Sequence, residues 1–309
     1  VSNAIDNLIP DIYKLLGEAN KDIEFNTDAL AGLGVRMVRH VRDEIKDPDR
    51  SDRDPSEVYV TQVTPNCYRK IWYNIFGTDN NVQKEQIDGS NKFKFLYGDL
   101  IEESVLFIAQ VAGHNVEDEQ RRLSVSLPGT TFTLSGRIDA MIDGVLVDVK
   151  SMENYSFQKW QSGEAAVEDK WGYMRQLYYY AGMMHMLGES IDTVGILACN
   201  KQNGKLHLYT QKVDPQLCTT WVTNMGKRIS SPESLKTDPT RDVTSKGSNA
   251  VLGPGCSYCP YKFDCYEEQG GLEVYAYSDG PAFICKPVGK PPKVPCITEA
   301  YIKERFKEK

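Results

Sequence analysis

No apolar run in the chain approaches the roughly 20 residues that a membrane-spanning helix needs, and its first residues lack the charged-then-apolar pattern of a signal peptide. It also lacks internal repeats and long low-complexity segments. These absences set the expectation of a soluble, non-membrane protein of the cytoplasm, its own cell's or a host's. Positive charge is in short supply: 36 Lys and Arg against 43 Asp and Glu give a formal net charge of −7 and a pI near 5.3. Taken alone, that balance would argue against a nucleic-acid partner. It does not decide the matter, because such binding follows local basic patches, and clustered acids lower the total without touching them. What is present is ordinary globular composition: 309 residues, 40% hydrophobic, with 4 Trp, 17 Tyr and 10 Phe. That is enough for one large domain or two modest ones.

The densest chemistry lies in residues 135–150, Ser-Gly-Arg-Ile-Asp-Ala-Met-Ile-Asp-Gly-Val-Leu-Val-Asp-Val-Lys. Asp143-Gly144 favours the tight turn of a hairpin, with Asp139 on the first strand and residues 145–150 as the second. Strand alternation sends Val145, Val147 and Val149 to one face and Leu146, Asp148 and Lys150 to the other. Two carboxylates and an amine built into an apolar strand pair suit a divalent cation, with the lysine over the water or phosphate beside it. A surface hairpin with solvated or self-paired charges explains a lone Asp-x-Lys as well, so features elsewhere must decide.

Residues 1–20 pattern as an amphipathic helix (Ile5, Leu8, Ile12, Leu15, Leu16) that Pro10 interrupts. A second helix over 27–45 groups Arg36, Arg39, His40 and Arg42, which either meet phosphates or form a solvated face. A polar, proline-bounded loop fills 46–58. Thr64 and Pro65 predict a helix start and Gly77 its stop, which puts Cys67 in a first turn, where free N–H groups and the helix dipole favour a thiolate. Residues 92–112 form a long helical pattern containing Gly98, a residue that costs roughly 1 kcal/mol there relative to alanine and marks a close approach. Glu102 follows one turn later on the same face, with Glu103 as the competing acid. Residues 156–163 predict a loop or turn, and 169–187 a helix ended by Gly188, with Gln176 and Tyr180 stacked at i, i+4. Strands over 192–201 and 205–213 meet at Asn203-Gly204, a helix covers 214–230, and 231–255 is a connector. The tail carries a hairpin turn at 278–281, a Lys/Pro linker and a basic end with Lys303, Arg305, Lys307 and Lys309.

Eight cysteines in a chain expected inside a cell are not all disulfides. Cys199, in a strand, and Cys218, in a helix, read as buried small hydrophobes, and Cys285 and Cys296 take no role. Cys256, Cys259 and Cys265 follow C-x2-C-x5-C. Three soft thiolates need a fourth ligand, and Cys67 is the other cysteine placed at a helix start. Zinc sites usually draw ligands as two close pairs; three plus one distant residue favours a [4Fe–4S] cluster, with zinc the rival.

Gly136-x-x-Asp139, Asp148-Val-Lys150 and Gln176-x-x-x-Tyr180, taken together, resemble the PD-(D/E)XK nuclease superfamily. One cysteine before that core and three after it resemble the RecB-like iron–sulfur branch, which includes CRISPR-associated RecB-like nucleases and the AddB nuclease domain. The resemblance spans 67–265 and leaves 1–60 and 270–309 uncovered. It implies an α/β fold, a restriction-endonuclease-like mixed sheet flanked by helices, with an iron–sulfur-stapled C-terminal segment. The divisions expected are a helical segment over 1–60, a nuclease core over 61–230, a cysteine segment over 231–270 packing back on Cys67, and a tail over 271–309. The activity implied is metal-dependent hydrolysis of DNA, by an exonuclease working on single strands or duplex ends. Glu102, in the position of the family's helical acid or histidine, would bind one or two Mg²⁺ or Mn²⁺ ions with Asp139, Asp148 and the carbonyl of Val149. Asp148 departs from the glutamate of many members and has a shorter reach. Lys150 would orient the attacking water and offset phosphate charge, and Gln176 and Tyr180 would position Lys150 or the phosphate, unless their helix is simply core. A homo-oligomer, or a partner protein from replication or recombination, remains open. The rivals are an iron–sulfur DNA-binding or assembly factor with a vestigial nuclease site, and a redox protein using the cluster.

Overall fold

The computed structural model describes residues 4–18, 23, 25–46, 54–77, 82–236 and 240–306; Lys307 and Lys309 of the basic end lie outside them. The first helix, α1 (Leu8–Gly17), is entered through a 3-10 turn over Ala4–Asn7. Pro10 therefore stands in the first turn, where its missing N–H has no intrahelical acceptor to lose, and it does not interrupt the helix as its sequence position suggested. Then come α2 (Thr27–Lys46), capped by the Asn26 side-chain amide oxygen, β1 (Glu57–Tyr59) and α3 (Val60–Val63). Thr64 closes α3 rather than opening the next helix. After a bend at Pro65 and Asn66, Cys67 is the extended N-cap of α4 (Tyr68–Phe76), just ahead of the first turn expected for it. The long helix is α5 (Gly89–Val111).

The hairpin at the centre of the chain is less simple than its pattern. After β2 (Val116–Glu117) and β3 (Arg122–Ser126), its first arm splits into β4 (Thr133–Arg137) and β5 (Ala140–Ile142), and β6 (Val145–Met152) is the second arm. Ile138 and Asp139 lie in the gap, so Asp139 is not on a strand. The cause is competition for backbone bonds: Ile138 N–H donates to Arg121 O (3.1 Å), and Asp139 O accepts from Gln120 N–H (3.0 Å). Two further corrections follow β6. The loop expected at 156–163 is α6 (Asn154–Gln161), whose aromatics Phe157 and Trp160, three residues apart, form its buried face. After α7 (Glu164–Glu168), the next helix starts only at Tyr173, as α8 (Tyr173–Met186). Asp169 stays outside it in a left-handed conformation, its carboxylate accepting from the N–H groups of Met174 and Arg175 at the helix start. The chain continues through β7 (Thr193–Asn200), β8 (Leu206–Lys212) and α9 (Pro215–Ile229), where the patterns put them.

The connector expected over 231–255 contains α10 (Glu233–Lys236), the hairpin β9 (Val243–Lys246) with β10 (Asn249–Leu252), and α11 (Pro254–Ser257). β9 is exposed throughout, so it carries no apolar alternation to reveal it. Beyond come α12 (Lys262–Glu267), β11 (Leu272–Tyr277), β12 (Gly280–Cys285) and α13 (Thr298–Arg305).

These elements form two compact units, Val1–Thr64 with Ser90–Ser230, and Pro65–Gly89 with Ser231–Lys309. Unit 1 holds a five-stranded sheet in the order β2-β5-β6-β7-β8, in which only β6 and β7 run parallel, and a three-stranded sheet β1-β4-β3. The parallel pair requires a crossover, supplied by α6, α7 and α8. Val145, Val147 and Val149 face Ile5, Leu8 and Ile12 of the N-terminal segment and Val105, Leu106 and Ala109 of α5. α8 packs on β6 and β7 and against α9. Its Gly182 lets the backbones of α8 and α9 meet, since a Cβ there would lie 2.5 Å from Cys218 O. The chain is thus α/β, with mixed sheets flanked by helices, as expected. Unit 2 holds the antiparallel sheet β11-β12-β10-β9, whose core of Leu252, Tyr266, Leu272, Val274 and Phe283 also receives Cys256, Cys265 and Cys285.

Candidate functional site

In unit 1, the gap at Asp139, the second half of β6, one turn of α5 and the start of α8 supply the ionisable residues singled out above. Asp139 Oδ2 accepts the Val149 N–H at 2.7 Å, which fixes the carboxylate across the strand pair. Asp148 is buried, accepts from Gln176 Nε2 at 3.1 Å through Oδ1, and pairs with Lys150 Nζ at 2.7 Å through Oδ2. That ion pair is close but not aligned as a hydrogen bond, so Oδ2 has no donor. The mid-helix glycine makes the close approach expected of it, for a Cβ at Gly98 would stand 3.3 Å from Ser151 Oγ. One turn on, Glu102 faces the charges of Asp139, Lys150 and Asp148, while Glu103 turns away to Arg36 (2.6 Å) and His40 (3.0 Å).

Burial dominates the electrostatics. It pushes the Glu102 carboxyl well above the usual range, with the Asp139 charge adding to it. Asp139 rises to about 7 through burial and the nearby Asp148, and Asp148 rises through burial against the pull of Lys150. Burial works against the Lys150 ammonium, but Asp148 and Asp139 outweigh it and hold the charge. Three desolvated carboxyls share one lysine, so burial and mutual repulsion keep protons on them until a further positive charge is present. The donor chemistry, hard oxygens with one buried oxygen lacking a donor, fits a divalent cation of the Mg²⁺ or Mn²⁺ class. The Val149 carbonyl lies on the same strand, next to the N–H that holds Asp139.

Gln176 and Tyr180 both reach this group of side chains. Gln176 orients Asp148 rather than Lys150. Tyr180 is buried against Gly136, where a Cβ would lie 2.6 Å from the Tyr180 ring, so the Gly-x-x-Asp glycine is room for this tyrosine. The side chain over Lys150 is Tyr173, with its ring centroid 5.3 Å from Nζ. Another unforeseen neighbour is Gln120, whose Nε2 donates to Glu102 Oε1 at 2.6 Å while its own N–H holds Asp139 O. Gln120 sits in a turn at φ 57°, a conformation that its sequence does not advertise.

In unit 2, Cys67, Cys256, Cys259 and Cys265 line one cavity of about 40 Å³, partly open to solvent, with Lys70, Arg241 and Lys262. Cys256 Sγ accepts the Asp242 N–H at 3.2 Å. Burial pushes the Cys259 thiol up to about 11 and raises Cys265, while Lys70 acts against the first and Arg69 against the second. Four sulfurs ringed by cations are a soft, electropositive set that fits zinc or an iron–sulfur cluster. Cys199 and Cys218 are buried, as expected, Cys285 packs beside Cys256 and Cys265, and Cys296 is exposed. Among the described residues, no group of three or more His, Cys, Asp or Glu side chains is arranged, as it stands, to hold a metal ion.

No family model and no curated protein matches the chain. Among solved structures it is similar to a crystal structure of the protein SSO0001, at 12% identity and TM-score 0.44 over 74% of this chain and 93% of that one. It is also similar to a protein of Eubacterium rectale named as a candidate exonuclease, at 13% identity and TM-score 0.29 over 70% of this chain and 89% of that one. No helix among the described residues is long and apolar enough to cross a membrane.

Proposed function

We propose that the chain is a metal-dependent deoxyribonuclease of the PD-(D/E)XK type, in its RecB-like iron–sulfur branch. It would act as an exonuclease on single strands or duplex ends during DNA processing, recombination, repair or phage replication. The observation that carries the reading is the grouping of Glu102, Asp139 and Asp148 with Lys150, desolvated and short of positive charge. A Mg²⁺ or Mn²⁺ ion held by these carboxylates and the Val149 carbonyl would supply Lewis-acid activation of water and phosphate. The protein's part is preorganisation: Gln120 holds Glu102, the Val149 N–H holds Asp139, and Gln176 holds Asp148. Lys150, kept charged by two aspartates and seated near the Tyr173 ring, offsets charge on the scissile phosphate and orders the attacking water. The acidic total is compatible with DNA because the bound cation neutralises the very acids that would repel it. The four cysteines of unit 2 would hold a [4Fe–4S] cluster, mainly structural, with zinc as the alternative occupant.

The test is cleavage of end-labelled single- and double-stranded DNA with Mn²⁺ or with EDTA. Cleavage that requires metal and disappears in Asp139→Ala, Asp148→Ala and Lys150→Ala, each still folded by circular dichroism, supports the reading. DNA binding without metal-dependent cleavage would leave an iron–sulfur binding factor with a vestigial site.

A further inference from the structure

The helix α2 is docked inside out. Its half-buried side carries Arg36, held by Glu103 at 2.6 Å and Glu119 at 2.8 Å, and His40, held by Glu103 at 3.0 Å and Asp99 at 3.4 Å. Leu33, Met37 and Glu44 share that half-buried side, and none of the helix's described side chains is fully buried. The opposite side presents Val35, Val38, Val41 and Ile45 to solvent at 58, 68, 37 and 74% exposure. An amphipathic helix ordinarily buries this stripe and solvates its charges.

The exposed stripe has an order of its own. Thr27, Ala31, Gly34, Val38, Val41 and Ile45 are all exposed and follow one another at alternate steps of four and three residues, the spacing of a two-helix seam. It is graded in size, with small residues in the first half and branched ones in the second. An antiparallel helix of the same sequence sets large against small, in the layers Thr27 on Ile45, Ala31 on Val41 and Gly34 on Val38. The same register brings Asp28 of one helix, at a flanking position, to Arg42 of the other. Among the described residues, Arg42 pairs with its exposed neighbour Asp43, a surface contact of little weight. A parallel pairing would instead oppose Gly34 to Gly34 and Val38 to Val38, small on small and large on large.

We propose that α2 is the interface of an antiparallel homodimer, the seam from Thr27 to Ile45 being covered by the same seam of a second copy of this chain. A 20-residue helix is about 30 Å long, so a single helix pair makes a small interface and the dimer is concentration-dependent. The proposal is independent of the nuclease reading.

Sedimentation of the full chain over a range of concentrations tests it. The wild type shifts from monomer to dimer. Val38→Glu, a surface change in the monomer, keeps the melting temperature but raises the dissociation constant on the order of a hundredfold, because it buries an unpaired charge. Asp28→Arg and Arg42→Asp each weaken the dimer, and the two together restore it. A wild type that stays monomeric, or a Val38→Glu variant that still dimerises, overturns the interface. Failure of the double exchange to restore overturns the antiparallel register. A monomer that instead floats with anionic lipid vesicles through Val38 assigns the seam to a membrane surface, and the proposal falls.

Discussion

At Asp148, one carboxylate oxygen is tied to Gln176 and the other meets only Lys150, so the side chain is oriented without being saturated. Gln120 does the same for Glu102. Gln120→Ala should leave cleavage possible but raise the Mn²⁺ concentration needed for half-maximal activity, about tenfold by the usual weight of outer-shell partners. Titration of activity against Mn²⁺ checks this, and an unchanged requirement would remove Gln120 from the site. His40 gives a pH prediction. Its hydrogen bonds to Asp99 and Glu103 raise its pKa from 6.5 to about 9. A raised histidine pKa means that the folded state binds the proton more tightly. The stabilisation is therefore complete below about 6.5 and is lost as pH rises through about 9. Melting temperatures of wild type and His40→Gln should converge across that window; parallel pH profiles would refute the coupling. Helix spacing was enough to separate Glu102 from Glu103, since neighbours on a helix point to different partners. Gln120 was illegible, because it reaches the site from a turn whose positive φ belongs to no glycine.

Elements were legible where their period was long and their ends carried glycine or a cap, as in α5, α9 and the β7–β8 hairpin. They were misread where two sheets competed for one strand. The arm carrying Asp139 alternates as a single strand, yet its backbone bonds divide between β3 and β6, and only tertiary pairing decides where it breaks. That break frees Asp139 from the ladder and lets its carboxylate turn to the Val149 N–H. Gly136, just before it, is the hinge of the packing. Gly136→Ala places a methyl group 2.6 Å from the Tyr180 ring, and overpacking of this kind costs about 1–3 kcal/mol. Urea unfolding should show that loss, together with weakened cleavage. An unaltered midpoint would mean that Tyr180 moves freely and does not brace the strand.

For the whole molecule, the spacing of the cysteines was readable in the sequence, but the fold of the unit that holds them was not. Unit 2 is assembled from two stretches of chain, with Cys67 on the first and the other three cavity cysteines on the second. If a cluster joins them, anaerobically purified protein is brown, and Cys259→Ser is colourless and melts at a lower temperature. Colourless protein with stoichiometric zinc would replace the iron, and metal-free protein of unchanged stability would remove the joint altogether. The same layout has a consequence for how the protein is made. On a ribosome adding about 5–20 residues per second, Cys67 emerges roughly ten to forty seconds before Cys256. Unit 1 has its last residue once Ser230 is out, whereas the first stretch of unit 2, with Ile71, Trp72 and Tyr73 of α4 to bury, must wait for the chain that will complete it. Birth order thus makes unit 2, with its cysteine cavity, the later of the two units to be completed.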